Sequence, residues 1–188
     1  MTQARMTPKC SVFIATSLDG YIARDDGSID WLEQANASVP PGEDCGYRQF
    51  MSSVDTLVMG RNTFDLVLTF DAWPYGDTPV VVMTHRRVTP PGHVPPSVSF
   101  SSATPSELVE SLGANGARHV YVDGGRTIQS FLAAGLIDEM TITVIPILLG
   151  SGRTLFGALE RDVRLAHLST TAYDFGFVQS RYRVLKSA

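Results

Sequence analysis

The sequence predicts an α/β fold whose sheet is mostly parallel and ends in antiparallel strands. Short, continuous apolar runs, such as CSVFIAT at 10–16 and VVVM at 80–83, are typical of strands covered on both faces. Segments with helical patterns lie between these runs, as expected for a parallel α/β sheet. The last third changes character, because 163–171 and 175–185 alternate in the manner of paired antiparallel strands.

The same patterns place the individual elements. Strands are expected over residues 10–16, 55–59, 80–83 and 119–122, followed by an extended run over 138–149. Helices are expected over residues 62–70, 104–112 and 125–134. The helix at 104–112 carries a full start signal: Thr104 is its cap, Pro105 opens its first turn and Glu107 completes a capping box. The proline-rich stretch 89–97 is expected to form a rigid surface loop within one domain.

Composition and length narrow the functional classes. A chain of 188 residues predicts one domain over 1–188, with 1–9 as a flexible N-terminal tail. The net charge of −4 argues against nucleic acid or an anionic membrane surface as partner. Two cysteines are too few for a disulfide framework or a zinc quartet, and no apolar run is long enough for a signal segment or a membrane span. A cytoplasmic protein without a metal centre is therefore expected.

Arginines follow four of the predicted strands, and three of them come after glycine. Ligands of open α/β sheets bind beyond the carboxyl ends of the strands, so these turns are the candidate site. The four turns are Gly60-Arg61-Asn62-Thr63, Thr84-His85-Arg86-Arg87, Asp123-Gly124-Gly125-Arg126-Thr127 and Gly150-Ser151-Gly152-Arg153-Thr154.

Two of these turns open predicted helices, where a cation is mildly unfavourable. A helix N-terminus carries roughly half a positive charge, which disfavours Arg61 and Arg126 by about 0.3–1 kcal/mol each unless an anion shares the site. Glycine lets backbone N–H groups approach such an anion, and Thr63 and Thr127 add hydroxyl donors. Alternatively, the arginines extend into solvent or pair with acidic side chains.

The turn after residues 80–83 points to one particular anion. Thr84, Arg86 and Arg87 have the donors and charge expected around a ribose 2′-phosphate, which favours NADPH over NADH. Competing motifs are absent from the sequence: it contains no H-E-x-x-H, C-x-x-C, G-x-S-x-G or G-x-G-x-x-G. The predicted phosphate-binding turns contain few nucleophilic side chains. This suits hydride transfer, because the reactive carbon then belongs to the cofactor.

Four segments in order resemble the dihydrofolate-reductase-like superfamily. They are IATSLDGYIA at 14–23, VMGRNTF at 58–64, VDGG at 122–125 and PILLGSG at 146–152. The first and last are similar to the riboflavin-biosynthesis reductase family, the reductase half of a bifunctional deaminase–reductase, here in a stand-alone form. The resemblance implies a three-layer fold with a mostly parallel sheet of about eight strands, flanking helices and an antiparallel C-terminal strand, and a homodimer.

The resemblance also implies cofactor contacts. The residues that would bind NADPH are Ala15, Ile22, Gly60, Arg61, Asn62, Thr63, Thr84, His85, Arg86, Gly124, Gly125, Arg126, Thr127 and Ile128. Ala15 and Ile22 would flank the nicotinamide, and the others would hold the phosphates and riboses.

The substrate side offers several candidates. Asp44, sixteen residues before Gly60, falls near the substrate carboxylate of dihydrofolate reductases, or else caps a helix over 45–51. Asp19 follows the first strand as a second candidate acid, or else serves only its Asp-Gly turn. Trp31 stacks on a flat ring or anchors a short helix at 29–35. Leu149, Gly150 and Arg153 are further substrate candidates, Arg153 as an anion site.

These observations predict an NADPH-dependent reductase of a pyrimidine- or pteridine-type ring, such as 5-amino-6-(5-phosphoribosylamino)uracil. Hydride would pass to a C=N or C=O bond, with a proton steered by Asp19 or Asp44. One alternative is a nucleotide-binding or dimeric interaction module that has lost catalysis. Another is a reductase of a different small carbonyl compound.

Overall fold

A computed structural model of the chain describes residues 7–86 and 94–186. In these residues the strands are β1 (Lys9–Ser17), β2 (Tyr21–Ala23), β3 (Thr56–Gly60), β4 (Val80–Met83), β5 (Val98–Ser101), β6 (His119–Asp123), β7 (Glu139–Ile145), β8 (Arg153–Thr154), β9 (Leu165–Ala172) and β10 (Val178–Val184). The helices are α1 (Asp30–Asn36), α2 (Tyr47–Met51), α3 (Arg61–Val67), α4 (Pro105–Ala114) and α5 (Gly125–Ala133).

Eight of the strands form one sheet in the order β5-β4-β3-β6-β1-β7-β10-β9. The pairs from β5 to β7 are all parallel, and β10 is antiparallel to both of its neighbours. This arrangement confirms the predicted α/β class with a mostly parallel sheet and an antiparallel ending. The other two strands, β2 and β8, pair with each other in a small antiparallel ribbon.

Helices pack on both faces of the sheet. On one face, α4 and α5 bury residues such as Leu108 and Phe131 against Val58, Val120 and Val122. The other face packs α2 and α3 against a second cluster, which includes Leu57, Met59, Phe64, Val82 and Tyr121. The continuous apolar runs of β3, β4 and β6 are therefore buried on both sides, for the reason that the sequence pattern indicates.

Several boundaries differ from the predicted ones. Pro8 is buried and Lys9 already belongs to β1, so the predicted tail over 1–9 is wrong at these two positions; residues 1–6 lie outside the described residues. The capping box of α4 is present as predicted, with Thr104 and Glu107 bonding each other's backbone N–H. Arg87 and most of the proline-rich stretch lie in 87–93, which is also outside the described residues.

The described residues contain neither a helix that could span a membrane nor a cluster that could hold a metal ion. No helix there is long and apolar enough to cross a bilayer. Nor do the His, Cys, Asp and Glu side chains of residues 7–86 and 94–186 form a group of three or more that could hold a metal ion.

Candidate active site

The strand register brings three of the four predicted turns to one edge of the sheet. Gly60 at the end of β3 pairs with Met83 at the end of β4, and Met59 pairs with Asp123 at the end of β6. The residues that follow these positions are therefore neighbours at the carboxyl edge. This is the location that the sequence predicts for a ligand.

The turns after β3 and β6 pack directly against each other. A Cβ placed on Gly124 would overlap the hydroxyl of Thr63, and a Cβ on Gly60 would lie 2.8 Å from the hydroxyl of Thr127. The threonine of each turn therefore packs against the glycine of the other turn. Gly124 also has a φ of +87°, which disfavours any residue with a side chain. The glycines are required both for the backbone path and for the close approach.

The β2–β8 ribbon covers the start of α5. Its residue Ile22 places Cδ1 only 2.7 Å from where a Cβ of Gly125 would sit, and the carbonyl of Thr154 lies 3.4 Å from the same point. The ribbon is joined to β1 by a short turn whose Gly20 carbonyl accepts a hydrogen bond from the Leu155 N–H. Ile22 therefore lies beside the predicted phosphate turn; its predicted contact with the nicotinamide stays a prediction.

Asp19 fastens this turn to the segment after β7. Its carboxylate accepts hydrogen bonds from the Ser17 hydroxyl (2.6 Å), from the Leu149 N–H (3.1 Å) and from the Gly150 N–H (2.8 Å). The Ser17 hydroxyl and these N–H groups hold the pKa of Asp19 below its ordinary value, against a smaller desolvation effect. The side chain is thus ionised near neutral pH and its acceptor sites are occupied, which favours a positioning role over proton donation.

Replacing Asp19 with asparagine is expected to lower turnover severalfold and to leave cofactor affinity mostly intact. The amide removes the negative charge that three donors share, so the turn and the 149–150 segment lose their common anchor. Steady-state kinetics and a fluorescence titration with cofactor measure the two effects. Unchanged turnover would show that the Asp19 anchor is dispensable.

Asp123 lies in the glycine turn at the end of β6, and its sequence context alone indicates no catalytic role. One of its oxygens accepts the Gly124 N–H at 2.8 Å. Its side chain shares a face with Tyr121, two residues earlier on β6, and therefore lies on the side covered by α2 and α3. Burial raises the pKa of Asp123 to about 6, although the Gly124 N–H opposes the shift. A carboxyl group with this pKa can give or take a proton near neutral pH.

Aromatic side chains from separate segments surround this face near Asp123. Tyr47 of α2 packs edge-on against Phe13 of β1, with ring centroids 5.6 Å apart. The segment after α3 contributes Trp73 and Tyr75, whose rings lie 5.4 Å apart, and both pack on the same core cluster as Tyr121. The sequence signal available at this position is an aspartate directly after the apolar run at 119–122.

Among the remaining predicted cofactor residues, Arg61 and Thr84 make contacts within the chain, and the others are exposed or partly buried. Arg61 forms an ion pair with Asp65, with 2.7 Å between Nε and Oδ1. For this arginine the structure shows the acidic partner that was the alternative to anion binding. Thr84 accepts the Arg86 N–H at 3.1 Å at the end of β4. The exposed side chains at this edge are those of Asn62, His85, Arg86 and Arg126. Ala15 is partly buried on β1.

The Ile128 side chain cannot contact a ligand in this structure. It is fully buried in the core under α5, and its N–H donates to the Gly124 carbonyl. The predicted cofactor contact of Ile128 stays a prediction and would have to involve its backbone. Its contribution is to hold α5, and with it the Gly124 turn, against the sheet.

The substrate candidates are used mostly in structural contacts. Asp44 accepts the N–H groups of Gly46 (3.0 Å) and Arg48 (3.2 Å) at the start of α2, which is the capping role. Trp31 is 0% exposed and anchors α1, so it has no surface on which a ring could stack. Arg153 lies against Gly27 and donates to the Asp25 carbonyl at 3.3 Å.

A model of the RibD C-terminal domain matches residues 8–178 of this chain. Among curated relatives, YwjB of Bacillus subtilis (strain 168) is 36% identical over 163 residues, which is 85% of this chain and 89% of YwjB. Among solved structures, a Shewanella sp. PV-4 protein assigned to riboflavin biosynthesis shares 41% identity with a TM-score of 0.88, covering 95% of this chain and 99% of that one.

Two further structures are similar in fold. A Thermotoga maritima diaminohydroxyphosphoribosylaminopyrimidine deaminase/5-amino-6-(5-phosphoribosylamino)uracil reductase has 15% identity and a TM-score of 0.69, over 95% of this chain and 57% of that one. Dihydrofolate reductase from Enterococcus faecalis has 16% identity and a TM-score of 0.62, over 96% and 99%. The dihydrofolate-reductase-like fold is thereby confirmed. With a model match over most of its length, this chain belongs to the RibD C-terminal domain family.

Proposed function

We propose that this chain is a reductase that uses NADPH to reduce a pyrimidine- or pteridine-type heterocycle. Membership of the RibD C-terminal domain family, a family of reductases, supports an oxidoreductase. The observation that carries the finer proposal is the pair of facing glycine turns at the carboxyl edge, with the half-buried Asp123 carboxyl beside them. The homodimer and the cytoplasmic location stay predictions.

The residues present fit a dinucleotide phosphate. Gly124 and Gly125 lack side chains, which lets Thr63 and Ile22 pack against the backbone at the N-terminus of the nine-residue helix α5. Backbone N–H groups and the positive helix end favour an anion there. Thr84, His85 and Arg86, at the neighbouring strand end, supply the donors and charge for a 2′-phosphate. When bound, the nicotinamide supplies the hydride.

We propose Asp123 as the proton donor. Hydride addition to a C=N or C=O bond leaves negative charge on the nitrogen or oxygen, and a proton must reach that atom. With a pKa of about 6, the Asp123 carboxyl is available as donor in mildly acidic to neutral solution. Asp19 and Asp44 are held by backbone N–H groups and serve as positioning residues in this proposal.

Replacing Arg86 with alanine is expected to weaken NADPH binding far more than NADH binding. The guanidinium would lose its ion pair with the 2′-phosphate, a group that NADH lacks. Thermal stability with each cofactor measures this, since a hundredfold excess over Kd stabilises the fold by about 2.7 kcal/mol. Arg183→Ala, an exposed arginine on β10, is the matched control. Equal losses for both cofactors would contradict the 2′-phosphate assignment.

The alternatives predict different results in the same experiments. A module that has lost catalysis would bind NADPH without oxidising it in the presence of any pteridine, pyrimidine or carbonyl acceptor. A reductase of another carbonyl compound would oxidise NADPH only with that acceptor.

A further inference from the structure

We propose that Tyr47 and Tyr75 are specificity-determining residues that, together with Asp123, recognise the cyclic-amide edge of a flat nitrogen heterocycle. This inference rests on the proposed function, because it assigns the acceptor side of the same site. It names the part of the substrate that is recognised, adjacent ring N–H and C=O groups, and the side chains that recognise it.

The two tyrosines come from segments far apart in sequence and reach the same face of the sheet. Tyr47 begins α2 and packs against Phe13, which lies two residues after Ser11, the β1 partner of Tyr121. Tyr75 follows α3 and packs on Trp73, which in turn packs edge-on against Phe64 at 6.3 Å. Both tyrosines thus pack on the core cluster that contains Tyr121, on the face of the sheet that Asp123 shares with Tyr121.

The phenol oxygens of these tyrosines have no structural task in the described part of the chain. No hydrogen bond among residues 7–86 and 94–186 uses the hydroxyl of Tyr47 or Tyr75, whereas the hydroxyl of Tyr121 donates to the Phe13 carbonyl at 2.8 Å. The fully sealed polar atoms without a partner are Trp31 Nε1, Trp73 Nε1 and Ser97 Oγ, and neither phenol is among them. Both hydroxyls therefore reach accessible space.

The protonation states of Tyr47, Tyr75 and Asp123 suit a ring edge that carries one C=O and one N–H group. Burial, followed by the Asp123 charge, raises the pKa of Tyr47 to about 12 and also raises the pKa of Tyr75. The phenols thus stay protonated and can donate to a carbonyl oxygen. In its ionised form, Asp123 keeps acceptor capacity beyond the bond from Gly124 and can accept a ring N–H, whereas its protonated form is the proposed proton donor. Aromatic walls around this polar set suit a flat ring.

The experiment measures binding of pterin and of 3-methylpterin, whose ring N–H is blocked, to the NADPH-loaded protein by quenching of ligand fluorescence. The variants are Tyr47→Phe and Tyr75→Phe, with Tyr182→Phe on β10 as the matched control. We expect wild type to prefer pterin, and each of the two variants to weaken pterin about three- to tenfold, as for one neutral hydrogen bond. NADPH affinity and the Tyr182→Phe variant are expected to match wild type.

Three outcomes overturn this inference while leaving the cofactor proposal intact, because NADPH binding is measured separately. They are unchanged pterin affinity in both variants, equal affinity of wild type for pterin and 3-methylpterin, and absence of pterin binding to the loaded protein. Loss of NADPH binding in wild type would instead overturn the proposed function itself.

Discussion

Replacing Gly124 with alanine is expected to weaken NADPH binding by about a hundredfold and to destabilise the fold. The added Cβ would overlap the Thr63 hydroxyl, so the turns after β3 and β6 must separate. Separation misplaces the backbone N–H groups that face the phosphates, and losing one or two hydrogen bonds to a charged group amounts to ~2.8 kcal/mol. Backbone strain at φ +87° lowers the free energy of unfolding by about 1–3 kcal/mol in addition.

A matched control separates strain from the overlap. Gly116 has a similar φ of +93°, but a Cβ there would meet no atom within 4 Å. Gly116→Ala is therefore expected to lower stability through strain alone and to keep wild-type NADPH affinity. Removing the Thr63 hydroxyl in Gly124→Ala/Thr63→Ala should restore part of the lost stability, measured by chemical denaturation. If Gly124→Ala binds NADPH like wild type, the facing turns do not hold the cofactor.

Replacing Asp123 with asparagine is expected to lower turnover by about a hundredfold or more, the contribution typical of a general acid. NADPH affinity should change little, because the asparagine oxygen can still accept the Gly124 N–H. In wild type, kcat/KM should fall as pH rises through about 6, where the carboxyl loses its proton. The variant should lack this pH dependence. Wild-type turnover in the variant would remove Asp123 from the mechanism.

The same variant is expected to be more stable than wild type above pH 7. The pKa of Asp123 is raised from 3.8 to about 6 on folding, so the folded protein binds this proton more tightly than the unfolded chain. Stability is therefore lost as pH rises from about 4 to 6, by an amount of up to about 3 kcal/mol. Asparagine cannot ionise and escapes this loss. Denaturation at pH 4 and at pH 7.5 should show a difference between the two proteins only at the higher value.

The fold was largely predictable because buried parallel strands leave a strong pattern. The continuous apolar runs of β3 and β4 and the capping box of α4 are local features, and each is present in the structure. The short strands β2 and β8 could not be predicted, since three and two residues carry no periodicity. Their pairing depends on contacts between segments about 130 residues apart.

The sequence predicts the candidate site only where a single turn contains the residue types that bind a ligand. The glycine–arginine turns are visible in sequence, and the register of β3 and β6 joins them. The role of Asp19 depends on two distant N–H groups, which no local pattern shows. Asp123 carries no catalytic signal in the sequence, because its raised pKa comes from burial in the folded chain.

Asp123 and Gly124 are consecutive residues, and the N–H of one bonds the carboxylate of the other. The proposed proton source and the proposed cofactor turn are therefore adjacent in the chain, and neither can shift without the other. The tyrosines opposite belong to a five-residue helix and a loop, outside this rigid unit. On the proposed roles, changes in those two segments would alter which acceptor is reduced and leave cofactor binding unchanged. A scaffold of this kind would then diversify its substrates through its least constrained parts.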